Sequence, residues 1–265
     1  MTAAAIPASS HATVWSIARY VAWRNLKLLM RSPTLLIPAL LLPLFFFIAF
    51  VGALSSLTSL PGFGSANYTS FQFVFALMQS AGFTGAMGGF AMSEDFETGF
   101  MDRLMTTASA RFAIILGYVI AMLGRLVIAA AVLTPVAYAF GMRFDGNAYQ
   151  IAGLFGLAAL LNIIATLWAT GVAMRVRSFA AAPGMFLPIF LLFFLAPVFM
   201  PLSQLTGWLH SVAVVNPFTR FLEAGRGFIS GVNQDVLWAY GAGIALVALS
   251  CLWALGGVRS ASRSG

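Results

Sequence analysis

The chain has 265 residues, of which 61% are hydrophobic and only 8% charged, with a mean hydropathy of +0.94. Soluble domains carry about 25% charged residues, so 14 basic and 7 acidic side chains cannot cover a water-exposed surface of this size, and the apolar solvent must be lipid. The net charge of +7 then reports basic loops beside a membrane, not contact with nucleic acid.

Residues 1–11 are small and polar, lack the apolar core of a signal peptide, and are expected to form a disordered tail. Residues 12–31 read as an amphipathic helix lying in the membrane interface. Arg19, Trp23, Lys27 and Arg31 recur every four residues and share one side. Val14, Ile17, Val21, Asn25 and Leu28 fall opposite, on the side expected to meet lipid. The helix either anchors the topology alone or also touches a cytoplasmic partner.

A bilayer core about 30 Å thick needs roughly 20 apolar helical residues. Six segments qualify: Leu35–Leu57, Phe71–Met92, Phe112–Phe140, Tyr149–Met174, Pro183–Met200 and Val236–Val258. The first is too long for a signal h-region and is expected to be retained. Barrel strands, which would alternate over about ten residues, do not occur. With the N-terminus in the cytoplasm, Arg19, Arg24, Lys27, Arg31, Arg103, Arg111, Arg175, Arg177, Arg259 and Arg263 lie inside, and Arg143, Arg220 and Arg226 lie outside. That bias places both termini in the cytoplasm. The expected partition is one membrane domain over 32–258 and a cytoplasmic tail over 259–265. One lysine, Lys27, against 13 arginines, together with many Ala and Gly, points to a GC-rich bacterial genome, and the expected location is the bacterial inner membrane.

The loop after the second segment, Ser93-Glu94-Asp95-Phe96-Glu97-Thr98-Gly99-Phe100-Met101-Asp102-Arg103-Leu104, holds four of the seven acids. Acids contribute little to topology, so they call for another reason. Phe96, Phe100 and Leu104 would form an apolar stripe on a helix, with Ser93 as N-cap and the acids at its positive end. Such a helix either seats in the groove of another protein or is a solvated loop packed on its own membrane domain.

The run Glu94-Asp95-Phe96-Glu97-Thr98-Gly99 through Asp102-Arg103-Leu104, then Arg111 and Gly117, resembles the signature loop of ATP-binding-cassette type-2 permeases. It is most similar to that of the daunorubicin-resistance branch of bacterial exporters. Asn216-Pro217-Phe218-Thr219 through Glu223-Ala224 and Arg226 resembles the Asn-Pro motif before the last span in that family. One departure is Ala108, where the family often has Pro. The resemblance implies an all-α polytopic protein: six transmembrane helices, the N-terminal amphipathic helix, a cytoplasmic coupling helix between spans two and three, and re-entrant helices on the outer side before span six. It implies that Glu94, Asp95, Phe96, Glu97, Gly99, Phe100, Asp102 and Arg103 dock the ATPase, with Arg19, Trp23, Lys27 and Arg31 bordering that contact. It also implies two ATPase subunits carrying ATP and Mg, a second permease subunit, identical or related, and no cofactor on this chain.

Residues 201–235 are too polar to span lipid. Asn216-Pro217 marks a turn or helix start, and Arg220, Glu223 and Arg226, spaced by three, can pair along a face. These five residues are candidates for an outer gate, against a reading as a cap over the bundle. Arg125 lies inside the third segment, where a charge costs roughly 2.5–3.5 kcal/mol. It either snorkels and packs or lines a substrate path. Gln79 and Asn162 are further path candidates that could equally bridge helices, as could Gln72.

No G-x-x-x-x-G-K-[ST] occurs, so the chain has no phosphate-binding loop of its own. One cysteine and two histidines supply neither a disulfide framework nor a metal site. All seven acids fall outside the predicted spans, which argues against ion coupling. The expectation is a non-enzymatic permease subunit that moves a hydrophobic or amphipathic drug, antibiotic or lipid outward. The alternatives are a permease for a polysaccharide or glycolipid precursor and a membrane scaffold without transport.

Overall fold

The structure, a computed structural model, describes residues 10–31, 36–59, 67–107 and 111–261. Most of the predicted N-terminal tail, most of the loop 58–70, Ala108 and residues 262–265 lie outside the described residues. Ten α-helices and no strand occur among the described residues: α1 Ser10–Arg31, α2 Leu36–Leu54, α3 Tyr68–Glu97, α4 Phe100–Thr107, α5 Phe112–Ala139, α6 Ala148–Val176, α7 Ala182–Phe194, α8 Gly207–Val215, α9 Pro217–Ile229 and α10 Val236–Ala261.

Five of these, α2, α3, α5, α6 and α10, are long and apolar enough to cross a membrane. Each matches a predicted segment to within a few residues, except α3, which continues five residues past Met92 to Glu97. At 1.5 Å per residue its 30 residues reach about 45 Å, well beyond a hydrocarbon core of about 30 Å. The predicted segment Pro183–Met200 is helical only as far as Phe194, and the 13 residues of α7 are fewer than a bilayer needs.

The core is built around α3, which packs against α2, α5, α6, α7 and α9. In its most apolar stretch 89% of residues are buried, against 11% for α2. Close approach explains the tight seam with α6. A Cβ on Gly85 would stand 2.6 Å from the Asn162 carbonyl oxygen, and one on Gly89 would stand 2.7 Å from that of Ala169. At the far side of α6, Trp168 stacks on Trp253 of α10 at 5.2 Å, and the Arg175 guanidinium covers the Trp253 ring at 3.7 Å.

The face of α1 assigned to lipid needs correction. Ala18, Val21, Ala22, Asn25 and Leu29 are buried, and α1 lies along α5. Small residues permit this, since a Cβ on Gly117 would come within 2.6 Å of Val21 and 2.8 Å of the Ala18 carbonyl oxygen. Leu28, expected on that face, is exposed. A 22-residue amphipathic helix offers its apolar stripe to whichever apolar surface is nearest, and here protein covers it.

Candidate functional site

The end of α3, the short α4 and the first turns of α5 meet α1 at one end of the bundle. Asp95, on the last turn of α3, is only 4% exposed. Its carboxylate takes two N–H groups of Arg24 from α1, at 2.6 and 2.8 Å, and the hydroxyl of Tyr118 from α5. The guanidinium of Arg24 also lies 3.9 Å above the Phe100 ring of α4. Partial burial lowers the pKa of Arg24, but the hydrogen bonds and charge of Asp95 outweigh it and leave the guanidinium above its ordinary value. Bidentate, charge-assisted geometry of this kind fixes orientation as well as energy. One carboxylate therefore ties α1, α3 and α5 together, with α4 lying over the joint.

Around this clamp the acidic segment divides by side. Asp95 and Phe96 face inward, with Met101 and Met105 of α4. Glu94, Glu97, Asp102 and Arg103 face outward. The stripe expected through Phe96, Phe100 and Leu104 is broken, because Gly99 takes φ +67° and turns the chain between two helices. The Thr98 and Gly99 N–H groups return to the Glu94 and Phe96 carbonyls and close the end of α3. Glu97 reaches across to the turn after α6, where its carboxylate accepts the Phe179 N–H at 2.8 Å and the Ser178 hydroxyl at 3.2 Å. Arg19, Trp23, Lys27 and Arg31 are exposed on the free side of α1, as their spacing predicts.

At the opposite end, the Asn216 side chain accepts the Phe218 N–H at 2.9 Å and donates to the Leu192 carbonyl at 2.7 Å. It thus caps α9, with Pro217 in the first turn. The three charges spaced along α9 do not pair as one row. Arg226 meets Glu223 at 3.1 Å, whereas Arg220 turns to Asp235, also at 3.1 Å. Burial pushes Arg226 down to about 10 against the charge of Glu223, so it stays cationic at neutral pH.

The sequence model of the ABC-2 type transporter family matches residues 18–229, from the first half of α1 to the last residue of α9. The chain belongs to this family. It is a multi-pass membrane protein and a permease subunit of an ABC transporter, of a kind that works with an ABC ATPase subunit and has no ATPase site of its own. No curated protein and no solved structure matches the chain.

The three candidates for a substrate path all sit inside the membrane-spanning helices of this permease. Asn162 donates from α6 to the Ala81 carbonyl and the Thr84 hydroxyl of α3, both at 3.0 Å, and so bridges the α3–α6 seam. Gln79 is fully buried on α3, and its amide has no partner among the described residues. Arg125 is 7% exposed on α5, and its Nε likewise has no partner there. The structure does not bring these three into one cavity with the α9 charges. Sequence reasoning missed Arg24 and Tyr118 as site residues. A hydroxyl seven residues after Arg111 in an apolar helix, and Asn25 interrupting an apolar face, were the available signals, since buried polar groups need partners.

Proposed function

We propose that the exposed corner formed by Glu94, Glu97, Asp102 and Arg103 seats on the cytoplasmic ATPase, and that the ATPase drives outward movement of a hydrophobic or amphipathic substrate. The observation that carries this reading is the clamp beneath the corner. Arg24, Asp95 and Tyr118 join α4 and the end of α3 to α1 and α5, so a push on the corner moves two membrane helices as one body. Asp95, Phe96 and Phe100 then support the contact from within, while Gly99 sets the angle of α4. Arg19, Trp23, Lys27 and Arg31 border it along α1. Outward direction and cargo class rest on the likeness of the acidic loop to daunorubicin-resistance exporters.

The same reading takes the predicted segment Pro183–Met200 as a further crossing, which makes 32–258 a six-span domain of the bacterial inner membrane with both termini on the cytoplasmic side. Its support is that Phe179 binds Glu97 at one end of α3, while the Phe199 carbonyl accepts the Tyr68 hydroxyl at 3.2 Å at the other. The short α8 and α9 then dip back into the outer leaflet, with Asn216 and Pro217 at their joint. A second permease subunit, identical or related, fits the apolar side of α2 and the exposed Leu187, Phe190 and Leu191 of α7.

The experiment is a double charge reversal, Glu97→Lys with Asp102→Lys, in the permease expressed together with its ATPase. Loss of ATPase co-purification with the permease still folded is expected. Unchanged co-purification would remove the docking assignment. Asp102→Lys with Arg103→Glu leaves the Glu97 contact to Phe179 intact and separates docking from local unfolding.

A further inference from the structure

At the end of the bundle away from the acidic corner, a cavity of about 510 Å³ opens beside the charged face of α9. Two ion pairs line it: Arg226 with Glu223, and Arg220 with Asp235. His210 of α8, Ser203, Ser230 and Gln234 add further polar groups. The Arg226 guanidinium lies 3.5 Å above the Phe71 ring and donates to the Glu223 carboxylate and to the Val198 carbonyl at 3.3 Å. Its Nε–H, buried, has no acceptor among the described residues. A buried cationic donor left unpaired costs free energy that an incoming oxyanion recovers.

The chemistry of the ligand follows from the donor set. Guanidinium edges match phosphate oxygens in a planar fork. Arg226 offers Nε with a terminal N–H, and Arg220 uses one terminal nitrogen on Asp235 and keeps others for a ligand. Two arginines against Glu223 and Asp235 leave the lining near neutral, so a purely anionic group meets repulsion as well as attraction. A group carrying phosphate and ammonium together satisfies both signs. The setting is amphipathic. The opposite face of α9, with Phe218, Phe221 and Leu222, is buried in the bundle, and Trp208 of α8, two residues before His210, is exposed in the manner of interfacial tryptophans.

We propose that this cavity binds the zwitterionic headgroup of a phospholipid, with Arg226 and Arg220 on the phosphate and Glu223 and Asp235 on the ammonium. The proposal deepens the reading of α8 and α9 as helices that dip back into the outer leaflet, and it rests on that reading for the cavity's place at the lipid boundary. The headgroup enters between the paired charges and loosens Arg226 from Glu223 as it takes up the unpaired N–H. Bound lipid and the salt bridge thereby compete for the same guanidinium.

The test is a binding titration on the purified full-length permease in neutral detergent, without the ATPase. Its probes are dihexanoyl phosphatidylethanolamine, dihexanoyl phosphatidylglycerol, dihexanoylglycerol, phosphoethanolamine and inorganic phosphate. Saturable binding of the phosphatidylethanolamine is expected, with competition by phosphoethanolamine and none by dihexanoylglycerol. Arg226→Gln weakens it by roughly tenfold or more, the scale of a charged hydrogen bond. Arg220→Gln, on a more exposed arginine, weakens it several-fold and serves if the buried variant does not fold. Equal binding of phosphatidylglycerol overturns the zwitterion assignment, and competition by inorganic phosphate as strong as by phosphoethanolamine assigns the cavity to a free anion. Binding of dihexanoylglycerol as tight as that of the phospholipid, or unchanged binding in both arginine variants, overturns the site altogether. None of these outcomes depends on ATPase docking, so the two readings fail separately.

Discussion

The two ends of this permease each hold a buried or half-buried arginine against a carboxylate, but they use it in opposite ways. At the α1 end, Asp95 is surrounded by donors, two from Arg24 and one from Tyr118, and these come from two different helices. At the other end, Arg226 and Glu223 lie three residues apart on one helix, and a buried N–H of Arg226 is left over. The first arrangement joins helices that are distant in sequence. The second pair lies within one helix, although its arginine also reaches the Val198 carbonyl and the Phe71 ring of α3, and it keeps bonding capacity for something else. A fully satisfied buried network rigidifies the elements it joins, whereas a partly satisfied one leaves a buried donor at a cost.

Breaking the closed pair should produce the largest effect. Asp95→Ala removes the acceptor shared by Arg24 and Tyr118, and breaking such a pair costs about 3 kcal/mol. Thermal unfolding in detergent would read it as a marked fall in midpoint, with α1 more open to proteolysis. Next comes the seam that carries α1. Gly117→Leu forces a side chain against Val21 and the Ala18 carbonyl and costs about 2 kcal/mol, as overpacking does. Here α1 should become accessible while the rest of the bundle keeps its protection from hydrogen exchange. Tyr118→Phe removes one donor of the three and costs about 1 kcal/mol. Smallest is Arg220→Gln at the open end, where both partners are partly exposed, with a change of no more than about 0.5 kcal/mol. If Arg220→Gln destabilised the fold as much as Asp95→Ala, the contrast between the two ends would not stand.

Hydropathy made most of the bundle legible. The spans α2, α3, α5, α6 and α10 follow from runs of about 20 apolar residues, because lipid permits no other backbone arrangement than one that satisfies itself. Asn216-Pro217 as a helix start was legible for a local reason, since an Asn side chain caps and Pro favours the first turn. The face of α1 was not. Periodicity finds the stripe of Val21 and Asn25 but cannot say whether lipid or Gly117 and its neighbours will cover it. Nor could spacing separate Asp95 from Glu94. Adjacent residues on a helix point 100° apart, and only the position of Arg24 and Tyr118 decides which acid turns inward. The pairing of Arg220 with Asp235 in place of Glu223 likewise depends on how the chain after α9 folds back, which no local rule specifies.

The account stands most directly on which side of the membrane the acidic corner faces. Single cysteines placed by Asp102→Cys and by Trp208→Cys, each with Cys251→Ser, would be exposed to a membrane-impermeant thiol reagent in intact cells and again after permeabilisation. The account predicts that the position in α8 reacts in intact cells and the position in α4 reacts only once the membrane is opened. Reaction at Asp102→Cys in intact cells would put the corner beyond the reach of any cytosolic ATPase and contradict it.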